Sequence, residues 1–119
     1  MEFDTNPKPT PNDFPASWIQ VKQDLLGESS IVNDTELVQM YNDALALAMK
    51  IISYKKKCSF NAALSEMVKI CDARNDFGVK KYGTPLQPFN GRDAIQDSLE
   101  EAADLVVYLR TAILEDEMQ

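Results

Sequence analysis

The chain has 119 residues, 45% of them hydrophobic, a formal net charge of −7 and no histidine. That length suits one compact core and little more. The acidic balance argues against binding DNA or RNA through a basic surface, because neutralising phosphates needs clustered Lys and Arg. The missing imidazole removes His-based triads, His proton shuttles and most zinc sites, so any metal must rely on carboxylate oxygens, which suits Mg²⁺ or Mn²⁺.

No apolar run has the length of a membrane-spanning helix. The opening Met-Glu-Phe-Asp lacks the basic-then-apolar plan of a signal peptide, so a cytoplasmic location and no membrane partner are expected. Cys58 and Cys71 are the only two cysteines. No motif surrounds them, and they read as reduced thiols, Cys71 on an apolar helix face.

In chain order, residues 1–14 hold Pro7, Pro9 and Pro11 among polar residues and predict an extended or flexible Pro-rich arm. The rest, 15–119, reads as a single all-α domain. Asp13 is the candidate cap of a short first helix, with Pro15 in its first turn and Gly27 stopping it. Trp18, Ile19, Val21, Leu25 and Leu26 are the residues it would bury.

From about Asp34 to Lys55, apolar residues recur at three- and four-residue spacings: Leu37, Val38, Tyr41, Ala44, Leu45, Ala48, Ile51 and Ile52. The run "ALALAMKII" is apolar nearly all round, which predicts burial on several sides. "YKKKCS" then places positive charge at the helix C-terminus. Ser59 or Asn61 caps a third helix running to about Lys80, with Leu64, Met67, Val68, Cys71 and Phe77 as its apolar positions.

The connector "KYGTPLQPFNGRD" follows. Gly83 and Pro85 break one helix, Asn90-Gly91 turns the chain, and Asp93-x-x-Gln96 fits a capping box for a fourth helix ending near Glu115. No strand pattern of period two appears. The expected fold is an α-helical bundle with one short and three longer helices, completed by self-association because so short a chain has few elements to cover so much apolar surface.

The fourth helix carries the candidate chemistry. At about 100° per residue, Asp97, Glu101 and Asp104 fall on one stripe, extended by Asp93 and Tyr108. Ile95, Leu99, Ala102, Val106, Leu109 and Ile113 occupy the opposite face as expected core. A solvated acidic face explains such a stripe in many acidic proteins. Here, however, like charges at i and i+4 repel without an intervening Lys or Arg, and Asp104 lies where "LVVYLRTAIL" turns apolar on almost every side. A divalent cation relieves both costs. Asp72 and Asp76, also at i and i+4, sit on the third helix. An antiparallel packing of the third and fourth helices brings the two sets together as an oxygen-only site for Mg²⁺, whereas ordinary surface charge, with Asp72 paired to Lys69 or Lys80, is the simpler account of Asp72 and Asp76.

"KYGTPLQPFNGRD" followed by "EEAADLVVYLR" resembles the MazG-like, all-α nucleotide pyrophosphohydrolases, especially the short versions that bacteriophages carry. The resemblance covers about residues 70–115. It implies helical bundles that pair into dimers or tetramers, Mg²⁺ held by acidic residues on two helices, and hydrolysis of nucleoside triphosphates to monophosphate and pyrophosphate. By position, the family's Glu-x-x-Asp falls on Glu101 and Asp104, with Asp97 a further ligand one turn earlier. The family's Glu-x-x-Glu on the preceding helix has no counterpart here, and Asp72 and Asp76 in "CDARNDFG" are the local substitutes.

The reading that follows is Mg²⁺-dependent hydrolysis of a (deoxy)nucleoside triphosphate in the cytoplasm, the host's for a phage-encoded chain. Asp76, Asp97, Glu101 and Asp104 hold the metal, and Asp72 or Glu100 orients or deprotonates water. Lys80, Lys81 and Arg92 counter the phosphate charge, Tyr82 or Phe89 stacks on the base, and Gln87 or Asn90 reads its edge. For the aromatics, core packing is the competing role. Two other functions stand beside this one: a nucleotide-binding protein without turnover that sequesters a host signal, and a helical adaptor without ligand.

Overall fold

A computed structural model of the chain describes residues 7–29 and 31–119. Four helices follow one another, α1 (Ser17–Leu25), α2 (Glu36–Lys56), α3 (Phe60–Tyr82) and α4 (Ala94–Glu117), with no strand among the described residues. The fold is all-α, one short helix and three long ones. The chain divides into two compact units, Pro11–Pro88 and the pairing of the arm up to Thr10 with Phe89–Gln119.

Local chemistry sets most helix ends. Thr35 caps α2 by accepting from the Val38 N–H at 3.2 Å, and Ser59 caps α3 by accepting from Ala62 N–H at 3.3 Å. Such caps satisfy amide donors that the first helical turn leaves open. Gly83 closes α3 at φ 75°, its N–H donating to the Val79 carbonyl at 2.8 Å, a left-handed conformation that costs glycine little. Asp93 caps α4 by accepting from the Ile95 and Gln96 amides at 3.0 and 3.1 Å.

The start of α1 differs from expectation. Its N-cap is Ala16, which offers no side-chain bond, and Asp13 lies outside the helix. The Ser17 N–H donates instead to the Leu86 carbonyl at 2.7 Å, so a distant loop supplies the acceptor that Asp13 was expected to give.

In the Pro11–Pro88 unit, α1 and α2 both pack on α3. Met49, Ile52 and Ala63 form the buried centre, with Leu25, Cys58, Leu64, Met67 and Ile70 packed around it. The unit is pinned by polar pairs as well. Lys22 Nζ meets both Asp72 oxygens at 2.9 and 3.1 Å, and Tyr41 donates to Asp24 at 2.5 Å. Burial, then the bond to Asp24 and its charge, push the Tyr41 phenol well above its ordinary range.

Two expectations about burial are corrected. In "ALALAMKII" only Met49 and Ile52 are buried, while Ala44, Ala46 and Lys50 are exposed, so that segment is buried on one side. The expected core face of α4 is open: Ile95, Leu99, Val106 and Ile113 are all exposed and no residue of α4 is buried. Periodicity identifies an apolar face, but not what covers it.

Candidate functional site

The connector between α3 and α4 is built largely by the N-terminal arm. Thr84, Gln87 and Asn90 are buried there, at 8%, 7% and 5% exposure, against the usual preference of such side chains for water. Their hydrogen bonds explain the burial. Gln87 Nε2 donates to the Asn12 and Phe14 carbonyls, both at 2.7 Å, while Gln87 Oε1 accepts from the Asn12 N–H at 3.2 Å. Asn12 Nδ2 in turn donates to the Pro88 carbonyl at 2.9 Å. From Pro7 to Phe14 the proline-rich arm is neither helix nor strand, and hydrogen bonds hold it at Pro7, Thr10, Asn12 and Phe14; residues 1–6 lie outside the described residues.

The second half of the connector is fixed within the other unit. Asn90 Oδ1 accepts from the Arg92 N–H at 3.0 Å, and the Asn90 carbonyl accepts from Thr10 N–H at 2.7 Å. The Arg92 guanidinium forks onto Asp97, Nε to Oδ2 at 3.0 Å and Nη2 to Oδ1 at 2.9 Å, and its Nη1 reaches the Pro7 carbonyl at 2.9 Å. This two-pronged geometry is the strong form of an arginine–carboxylate pair. Phe89 is 81% exposed at φ 56°, a conformation bulky residues seldom adopt.

On α4 the stripe of Asp97, Glu101 and Asp104 lies on one helical face. Glu101 and Asp104 are exposed, while Asp97 is half-buried against Arg92. One carboxylate oxygen of Glu100 is buried without a hydrogen-bond partner among the described residues. Asp72 and Asp76 belong to the Pro11–Pro88 unit and the α4 carboxylates to the other. Among the described residues, no three His, Cys, Asp or Glu side chains group closely enough to hold a metal ion. Asp72 is paired, but with Lys22 from α1 where Lys69 or Lys80 was the expected neighbour.

The last turns of α3 hold the predicted cations. Lys80, Lys81 and Tyr82 are exposed, and Lys81 Nζ lies 5.2 Å from the Tyr82 ring centre and 5.7 Å from that of Phe77. Arg74, which the sequence reading passed over, sits 5.4 Å from the Phe77 ring centre and 5.9 Å from that of Trp18. Arg74, Phe77 and Lys81 are spaced at i, i+3 and i+7 in the sequence, but the apolar periodicity of α3 assigns Phe77 to the core, whereas the ring is 52% exposed.

No protein-family model, curated protein or solved structure matches the chain.

Proposed function

We propose that the chain binds a (deoxy)nucleoside triphosphate and, with Mg²⁺ or Mn²⁺, hydrolyses it between the α and β phosphates to monophosphate and pyrophosphate. One observation carries the reading: Glu101 and Asp104 stand exposed one turn apart on a capped helix, which follows a connector whose sequence resembles that of the MazG-like family. Their oxygen-only donor set fits a hard divalent cation, which neutralises phosphate charge and lowers the pKa of a bound water. Glu101 and Asp104 would hold it. Asp97 would join only after parting from Arg92, whose fork now takes both of its oxygens.

Between the two candidate water-orienting carboxylates, Glu100 is favoured. Lys22 holds both oxygens of Asp72, whereas Glu100 keeps a buried oxygen unpartnered among the described residues. Lys80 and Lys81 counter the phosphate charge. Gln87 would read a base edge only once the arm releases its amide, so the exposed rings of Tyr82 and Phe89 are the readier base contacts. A cytoplasmic location and assembly into a dimer or tetramer belong to the same reading. Replacing Glu101→Gln should abolish pyrophosphate release while leaving the circular dichroism spectrum and melting temperature within error. Retained turnover would sink the hydrolase assignment.

A second reading, nucleotide binding without turnover, is favoured by the Arg92–Asp97 fork and by the missing Glu-x-x-Glu partner motif. Incubation with a nucleotide panel and Mg²⁺, followed by chromatography, separates the two. Intact nucleotide recovered from the protein supports binding alone, and monophosphate with pyrophosphate supports the enzyme.

A further inference from the structure

Within the Pro11–Pro88 unit, rings and cations alternate along one edge: Trp18, Arg74, Phe77, Lys81, Tyr82. Each cation lies 5.2–5.9 Å from the two ring centres beside it. Phe77 and Tyr82 are 52% and 62% exposed, which is costly for rings with no ligand to cover them. Arg74 and Lys81 enter none of the salt bridges among the described residues, although the chain carries 19 Asp and Glu against 12 Lys and Arg. Two positive charges are thus held on aromatic faces and outside the ion pairs found among the described residues, in a protein rich in carboxylates.

A second observation comes from Gly78. At 100° per residue, Phe77, Lys81, Arg74, Gly78 and Tyr82 follow one another around an arc of about 140° on α3. A glycine inside a helix weakens it relative to alanine. Among the described residues nothing demands that sacrifice, because a Cβ built on Gly78 meets no atom within 4 Å. Its backbone is also free of the left-handed conformation that explains Gly83 and Gly91. The bare floor lies among the two cations and two rings, where a flat molecule can approach the helix backbone.

We propose that this Gly78 floor, walled by Arg74, Phe77, Lys81 and Tyr82, is a stacking subsite for the base of a nucleotide, with Arg74 and Lys81 turned to its phosphates. The proposal rests on the nucleotide reading above and names the residues that would hold the base. Flat aromatic ligands stack on rings and guanidinium planes, and their negative charge suits the two uncompensated cations. A role confined to packing α1 on α3 would explain the Trp18–Arg74 contact but neither the exposed rings nor the glycine.

The test uses the full chain and α,β-methylene triphosphate analogues of the four common nucleosides, with inorganic tripolyphosphate as a ligand lacking a base. Binding is read by titration calorimetry in Mg²⁺. Gly78→Leu fills the floor, Phe77→Leu removes a ring and Arg74→Lys keeps charge while losing the plane. Each should weaken the preferred nucleotide analogue about tenfold and leave tripolyphosphate within twofold. Gly78→Leu should do so without lowering the melting temperature, which a purely structural role cannot produce. Nucleotide affinity unchanged in Gly78→Leu and Phe77→Leu, or equal weakening of both ligands, overturns the subsite while the nucleotide reading stands. Wild-type protein that binds none of the analogues overturns both.

Discussion

Cys71 shows what burial does to a single side chain. It is fully enclosed, and burial first, then the neighbouring Asp72 charge, push its thiol above the ordinary range, with Lys22 opposing. A raised thiol pKa means that the folded state favours the protonated form. The stability linked to it is therefore fully present below the unfolded-state value and is lost as pH rises through the folded one. At mildly alkaline pH, iodoacetamide should label the half-buried Cys58 well before Cys71, and Cys71 should react only on addition of denaturant. Mass spectrometry of tryptic peptides reads the order. Equal labelling in native protein would show that the α1–α3 packing around Cys71 opens far more readily than its enclosure implies.

Helix ends in this protein divide by the range of the bond that makes them. Ser59, Gly83 and Asp93 act through partners two to four residues away; the sequence shows Gly83 and Asp93 because the residue type states the chemistry, and it leaves Ser59 and Asn61 as alternatives that the Ala62 bond decides. Asp93→Ala should cost about 1 kcal/mol of stability, the usual worth of an N-cap. Gly83→Ala should cost at least as much, since alanine must adopt φ 75° at the end of α3. Urea titration monitored by helix signal measures both, and a loss under about 0.3 kcal/mol in either would mean that the helix end is held from elsewhere. The start of α1 was not legible, because its acceptor, the Leu86 carbonyl, lies in a loop that no local spacing reveals. Gln87 was misleading for the same reason: a polar residue in a connector reads as available, whereas its amide spends every bond on Asn12, Phe14 and Thr84. Of the candidate site, the α4 stripe followed from periodicity alone. The Arg92–Asp97 fork and the Lys22–Asp72 pair did not, since charge spacing says which partners exist and not which one wins.

Across the whole molecule, the largest unspent quantity is apolar surface. Ile95, Leu99, Val106, Leu109 and Ile113 line one face of α4 at 39–68% exposure, and Leu37, Met40 and Tyr54 are exposed on α2. Contiguous apolar faces of this kind mark contact surfaces, and a second copy of the chain is the occupant expected under the proposed function. The net charge of −7 opposes such pairing through long-range repulsion that salt screens. The two effects have opposite salt signatures: apolar contact persists or strengthens as salt is added, whereas association held by ion pairs weakens. Sedimentation of the wild-type chain should therefore give a dimer or larger species whose share grows between low and physiological salt. Val106→Glu, at the centre of the exposed α4 face and away from the Asp97–Glu101–Asp104 stripe, should shift the population to monomer with helix content unchanged. A wild-type chain that remains monomeric at every salt concentration would leave the α4 face to some other contact and remove self-association from the proposed function.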